Sequence, residues 1–131
     1  MTIYTKVDPA DIIDVIYTAC MEAEEISPKM GSKETALEKA KQCDVYAISK
    51  HGEVIGTIIF NNNCIHIAVL KDYHGKWLDN YFYHFLNEQY EKRGDMIAYP
   101  AGDHSEEFIR HFSDEKLNEG FVIRPPFGRL H

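Results

Sequence analysis

What this sequence lacks excludes several classes of protein. No apolar run among its 131 residues reaches the roughly 18 that a membrane-spanning helix needs, and the first residues lack the cationic and apolar stretches of a signal peptide. Basic residues are few, with 14 Lys and Arg against 21 Asp and Glu and a net charge of −7. Because nucleic acids bind basic surfaces, we expect neither a nucleic-acid nor a membrane partner.

The chain has only three cysteines, Cys20, Cys43 and Cys64. Their odd number and wide spacing predict reduced thiols, and hence a cytoplasmic protein. We expect no metal site, since Cys64-x-His66 and the pair of His104 and His111 lack the ligand spacing of zinc sites.

The length and composition of the chain indicate one domain over residues 1–131. The sequence is 44% hydrophobic and 12% aromatic, which is enough for an ordinary core. It contains neither a linker nor an internal repeat.

Local signals in the first half predict two helices and four strands. Asp8 and Pro9 are typical of a helix start, and we expect that helix to end near Glu25, before Ser27-Pro28. Residues Gly31-Ser32 open a second helix. The strands are predicted at 2–7, at 44–60 as a hairpin turning at 50–52, and at 64–70 after the turn 61–63. The strand 64–70 is nearly apolar, so we expect it to be central and covered on both faces.

The second half is predicted to continue with a long helix, a strand, a short helix and a strand. The long helix is indicated by a wide apolar stripe and ends at Lys92-Arg93-Gly94; the stripe comprises Trp77, Leu78, Tyr81, Phe82, Phe85, Leu86 and Tyr90. A strand is expected at 95–101, and a capping box of Asp103 and Glu106 is expected to start a helix from Ser105 to about Phe112. The last strand is 120–123, ended by Pro125-Pro126. The fold class is therefore α/β (α+β), a mixed central sheet of about six strands flanked by about four helices.

The stretch HIAVLKDYHGKW, residues 66–77, joins the apolar strand to the long helix through a turn with one glycine. Strand, turn and helix start are the parts of a phosphate-binding site, because free N–H groups and the positive end of a helix attract anions.

Four stretches in this order resemble the GNAT fold, that of the Gcn5-related N-acetyltransferases. They are TIYTKVDPADIIDVI, DVYAISKHGEVIGTIIF, IHIAVLKDYHGKW and HSEEFIRHFSDEKLNEGFVI. The resemblance implies an N-acyltransferase that moves an acetyl group from acetyl-CoA to an amine acceptor, either a small molecule or a protein. An acidic surface would steer cationic acceptors toward it.

The resemblance also implies a coenzyme-binding loop. His74 stands at the Arg or Gln position of the family motif and Gly75 at the glycine after it, while Trp77 and Asp79 replace two further glycines. Asp79 would repel a phosphate or stabilise its own helix, and Trp77 would border the coenzyme or belong to the core. The implied cofactor-binding residues are Val69, Leu70, His74, Gly75, Lys76, Trp77, Leu78 and Asp79.

For catalysis the resemblance implies a base on the strand before this loop, where His66 stands. The alternative for His66 is a partly buried histidine bonded to backbone. The tyrosine that serves as the acid in the family is missing, since Lys116 occupies its position. Tyr99, His104 and Ser105 are the substitutes.

A second function is possible as an alternative to acyl transfer. A chain with this fold and a degenerate loop would serve as a catalytically inactive binding or structural module, such as a small phage protein that is virion-associated or inhibits a host factor. Its partner would be another protein or a second copy in a homodimer. The tail RPPFGRLH would pack as a strand edge, contact a partner or be loose.

Overall fold

The strands and helices follow the predicted order, with one strand more. The computed structural model describes residues 1–23 and 31–127, so the predicted helix end near Glu25 and the last four residues of the tail lie outside the described residues. The strands are β1 (Thr2–Lys6), β2 (Asp44–Lys50), β3 (Glu53–Asn61), β4 (Cys64–Val69), β5 (Met96–Ala98), β6 (Lys116–Leu117) and β7 (Gly120–Ile123). The helices are α1 (Ile13–Glu22), α2 (Lys33–Ala40), α3 (Asn80–Arg93) and α4 (Asp103–Ile109), with 3-10 turns at Pro9–Ile12 and Lys71–Tyr73.

The strands form one mixed sheet in the order β1-β2-β3-β4-β5-β7-β6. All neighbours are antiparallel except β4 and β5, which the long helix connects and which are parallel. The predicted fold class is therefore confirmed, with seven strands rather than about six. The additional strand, β6, has only two residues, too few to show an alternating pattern.

Turn chemistry sets the register of the central hairpins. His51 and Gly52 join β2 to β3 with φ of 53° and 79°, as a two-residue turn with positive φ at both positions requires. Asn62 joins β3 to β4 with φ of 55°, a conformation that asparagine tolerates better than most residues.

Two apolar clusters lie against the sheet. The larger one contains Phe82, Phe85 and Leu86 of α3, with Ile109 and Phe112 of α4. The smaller one joins Ile12 and Ile16 to Ala40, Val45 and Ala47. Alternation along β2 explains the division, because Tyr46 and Ile48 belong to the larger cluster and their neighbours to the smaller one. No helix within residues 1–23 and 31–127 is long and apolar enough to cross a membrane.

Three local predictions need correction. The long helix begins at Asn80, so Trp77 and Leu78 precede it, and Tyr81 is 49% exposed instead of lying on the buried stripe. The capping box is wrong, because α4 begins at Asp103 and has no side-chain cap; Glu106 lies inside the helix and pairs with Arg110. The fifth strand is shorter than 95–101 and ends before Pro100, which has no N–H to donate.

Asp79 connects the first strand to the long helix. Its Oδ1 accepts the backbone N–H groups of Tyr81 (3.1 Å) and Phe82 (3.3 Å), which caps α3. Its carboxylate also accepts the backbone N–H of Thr2 at 3.0 Å and the Thr2 hydroxyl at 2.8 Å. One side chain therefore satisfies the helix end and holds the edge strand β1 to it.

We predict that Asp79→Ala lowers the free energy of unfolding by about 2–3 kcal/mol, since a helix cap and two hydrogen bonds to Thr2 are lost. Thermal denaturation measures the effect. Asp79→Asn keeps a good capping residue and should lose less, and Glu88→Ala, an exposed acid on the same helix, is the control. Equal melting temperatures for wild type and Asp79→Ala would contradict this role.

Candidate functional site

The parallel pairing between β4 and β5 stops almost as soon as it starts. Only Cys64 and Ile97 are paired, and the Ile97 N–H donates to the Asn63 carbonyl at 2.8 Å. By contrast, β4 pairs with β3 along its full length, from Cys64 to Val69. The two central strands therefore diverge toward their carboxyl ends and leave a gap in the sheet.

Backbone hydrogen-bonding groups of β4 face this gap. In an antiparallel ladder, alternate residues direct their N–H and C=O to the same side. Leu70 donates to Ile55 at 2.8 Å on the β3 side, whereas Asn63 is bonded on the β5 side. Counting from these two, the groups of Ile67 and Val69 point toward β5. The sheet pairing among the described residues provides no strand partner for them, although the Val69 carbonyl accepts His74 Nε2–H at 2.7 Å.

A cleft occupies the gap and has two neighbouring parts. The loop pocket, about 470 Å³, lies beside the segment after β4; it is lined by Ala19, Glu22, Ala23, Ile67, Ala68, Val69, Lys71, His74, Gly75, Trp77, His104, Ser105 and Phe108. The strand pocket, about 540 Å³, lies between β4, β5 and the helices α1, α2 and α4. The two share Ile67, Ala68, Ser105 and Phe108, so they form a single cleft.

This cleft corrects the prediction that β4 is covered on both faces. The strand is central, as predicted, and Ile65 and Val69 are buried in the larger cluster. His66 is exposed, however, and Ile67 and Ala68 are only half-buried, because the sheet opens beside them.

The candidate catalytic residues lie around the cleft. His66, Tyr99 and Ser105 line the strand pocket, and His104 and Ser105 line the loop pocket. The topology thus brings the end of β5 and the start of α4 to the same cleft as the middle of β4. Their proposed roles stay predictions.

The imidazole of His66 is desolvated by its surroundings, which lowers its pKa from the ordinary value of 6.5, although the side chain still reaches solvent. A lowered pKa keeps the ring neutral at pH 7, and a neutral ring can accept a proton. His66 therefore has the protonation state that a base needs.

Tyr99 stands 53% exposed at the end of β5. Its ring lies where a side chain at position 120 would be, since a Cβ on Gly120 would approach Tyr99 Cε1 to 2.9 Å. The absence of a side chain at Gly120 leaves room for the tyrosine ring beside the strand pocket.

The loop after β4 satisfies many of its own N–H groups. Tyr73 donates to Leu70 at 2.9 Å, His74 to Lys71 at 3.1 Å and Lys76 to Tyr73 at 3.0 Å. Of the predicted coenzyme-binding residues, Val69, His74, Gly75 and Trp77 line the loop pocket. Leu70 is bonded to β3, Leu78 packs against the larger cluster, and the Lys76 carbonyl accepts Lys50 Nζ–H at 2.7 Å.

Trp77 belongs to both the core and the cleft. It is 4% exposed and its ring centroid lies 5.2 Å from that of Phe82 and 5.8 Å from that of Phe108. The alternatives given for Trp77 thus do not exclude each other, since its edge also lines the loop pocket.

Glu22 is the residue that the sequence reasoning did not find. Glu22 is exposed, and its Oε1 accepts the Lys71 N–H at 3.1 Å where it lines the loop pocket. The contact joins residues 49 positions apart, so no local pattern predicts it. The local feature beside it is a pair of small residues, Ala19 of α1 and Ala23 directly after the helix, which line the same pocket.

The chain matches no protein-family model and no curated protein sequence. Among solved structures, it is similar to a ribosomal-protein-alanine N-acetyltransferase from Brucella melitensis biovar Abortus 2308, with a TM-score of 0.66 at 13% identity over 95% of this chain and 99% of that one. A Gcn5-related N-acetyltransferase from Rhodopseudomonas palustris gives 0.62 at 15% identity, over 94% of each chain. The PaiA N-acetyltransferase from Thermoplasma acidophilum, in complex with coenzyme A, gives 0.58 at 14% identity, over 94% of this chain and 97% of that one.

These likenesses extend over nearly the whole of each chain and agree with the order of strands and helices described above. At such identities they show the fold and not the activity. The protein has the fold of the Gcn5-related N-acetyltransferases.

Proposed function

We propose that the protein transfers an acyl group, with acetyl as the simplest case, from a pantetheine-type thioester such as acetyl-CoA to an amine. The observation that carries the proposal is the divergence of β4 and β5 after a single pair, which opens a cleft with unpaired backbone groups on one wall. An extended amide-containing arm can pair with such groups as an added strand does. The β5-facing groups of Ile67 and the N–H of Val69 would pair with it, while the Val69 carbonyl is bonded to His74.

The transfer needs one proton acceptor and one proton donor. The amine nitrogen forms a bond to the acyl carbon, the carbon–sulfur bond breaks, and the sulfur leaves with the electron pair of that bond. The proton lost by the nitrogen goes to neutral His66, and the sulfur takes a proton from Tyr99, Ser105 or water. Holding both reactants in one cleft contributes further, because it replaces a chance encounter by a fixed geometry.

The acceptor we propose is an amine with an apolar body. Apolar side chains line much of the strand pocket, among them Ile16, Ile59, Phe108 and Ile109, and Lys39 is the only charged residue among its described lining residues. The acidic net charge steers cations toward the protein as a whole, but a pocket with this lining favours an acceptor that carries little additional positive charge.

A second candidate function is a binding module without acyl transfer. The observation in its favour is that Asp79 and Glu22 accept N–H groups of the helix end and of the loop, where a phosphate would otherwise be the acceptor. Loss of phosphate binding would leave the fold intact and the cleft free for another ligand. Binding and product measurements separate the two candidates.

Donor binding in the cleft predicts a saturable change in the emission of Trp77, the single tryptophan of the chain, during titration with acetyl-CoA or S-acetylpantetheine. Ala68→Leu should weaken binding at least about tenfold, because Ala68 borders both pockets and a larger side chain fills the cleft.

Ala10→Leu adds the same atoms at an exposed position and is the matched control. Acetylated amine is measured by mass spectrometry, because the free thiols Cys20, Cys43 and Cys64 would react with a thiol reagent. Flat titrations with both donors and no acetylated product would overturn the proposed function, and binding without product would favour the second candidate.

The rate should depend on pH through His66. Since burial lowers the pKa of His66 below 6.5, kcat/KM should rise as pH increases through that pKa and then level off in the neutral range. His66→Gln should lower kcat by about a hundredfold or more and remove this rise. An unchanged pH profile in the variant would exclude His66 as the base.

A further inference from the structure

We propose that the acyl donor is recognised through its pantetheine arm and not through a nucleoside diphosphate, so that a pantetheine thioester without the nucleotide binds at least as tightly as acetyl-CoA. The inference rests on the proposed function and specifies its donor. It follows from a contrast between the two parts of the cleft.

Two N–H groups at the N-terminus of α3 already have hydrogen-bond acceptors within the protein. A helix start of this kind binds an anion through N–H groups that lack partners. Here Asp79 Oδ1 lies 3.1 Å from the Tyr81 nitrogen and 3.3 Å from the Phe82 nitrogen, and its carboxylate is held in place by Thr2. A phosphate at this helix end would have to displace a fixed carboxylate of the same charge.

Several N–H groups of the loop after β4 likewise have acceptors within the protein. Lys71 donates its N–H to Glu22, and the N–H groups of Tyr73, His74 and Lys76 donate to carbonyls within the loop. Gly75, with φ of 75°, is the one position of the loop where the backbone is bare of a side chain. Four N–H groups of the loop, those of Lys71, Tyr73, His74 and Lys76, are therefore already used within the protein and would have to change partner to bind a diphosphate.

The charges around the loop do not compensate. Lys50, Lys71, Lys76 and the N-terminal ammonium of Met1, which lies 3.8 Å from Asp79 Oδ2, supply positive charge, and Lys50 Nζ is already bonded to the Lys76 carbonyl. Against them stand four carboxylates, those of Glu22, Glu53, Asp72 and Asp79. A diphosphate placed here meets at least as much negative as positive charge.

The arm has a different environment. The β5-facing groups of Ile67 and the N–H of Val69 point into the cleft, and the wall of the strand pocket beside Ile67 is largely apolar. Both amides and the methylene groups of pantetheine match such a wall. Recognition of the donor is thus concentrated on the part of the molecule that carries the thioester.

Three probes test the inference by Trp77 emission and calorimetry: acetyl-CoA, S-acetylpantetheine and adenosine 3′,5′-diphosphate. We expect S-acetylpantetheine to bind at least as tightly as acetyl-CoA and the nucleotide to bind far more weakly than either. Acetyl-CoA binding measurably tighter than S-acetylpantetheine, or nucleotide binding comparable to acetyl-CoA, would overturn the inference and leave the proposed function standing. If neither thioester binds, both fail.

Charge variants give an independent measurement. Glu22→Gln and Asp79→Asn should each raise the affinity for acetyl-CoA relative to S-acetylpantetheine by about tenfold, since each removes a carboxylate near the diphosphate. Glu88→Gln, at an exposed site on α3, is the matched control for charge. Glu22 is the last residue of α1, and the Glu22→Gln variant provides the measurement if Asp79→Asn proves unstable. An unchanged ratio in Glu22→Gln would overturn the role given to these carboxylates.

Discussion

The candidate site of this protein depends on one break in hydrogen bonding, the point beyond Cys64 and Ile97 where β4 and β5 stop pairing. Sheets ordinarily continue as long as both strands do, because an unpaired backbone group away from water is unfavourable. Here β4 continues to Val69 while β5 ends at Ala98, just before Tyr99-Pro100. The cleft, its apolar lining and the location of His66 beside the gap all follow from that divergence.

The same break explains why the candidate catalytic residues lie around one cleft. Residues of the diverging strands, of α4 directly after β5 and of α1 and α2 on the sheet all border one cavity. Desolvation by these walls keeps the pKa of His66 low, whereas an imidazole on the outer surface would lack that environment. A neutral imidazole and an open strand edge thus arise from a single topological feature.

The sequence predicted most of what depends on neighbours along the chain. The caps Asp8 and Ser32, the turns at His51-Gly52 and Asn62, and the burial of Phe82, Phe85 and Leu86 are local in origin. The contacts of Glu22 with Lys71 and of Asp79 with Thr2 span 49 and 77 residues, so no periodicity indicates them. No local pattern predicted the two-residue strand β6 or the divergence of β4 from β5.

The two N–H groups that Asp79 caps at the start of α3 can serve stability or anion binding but not both at once. The N–H groups of Tyr81 and Phe82 can be satisfied by a side chain or by a ligand. Glycine at position 79 would leave them to a ligand and would release Thr2, and with it the attachment of the edge strand β1. The carboxylate stabilises the domain whether or not a ligand is present. A diphosphate bound at these N–H groups would therefore require a loss of stability, and the proposed donor, bound through its arm, avoids that conflict.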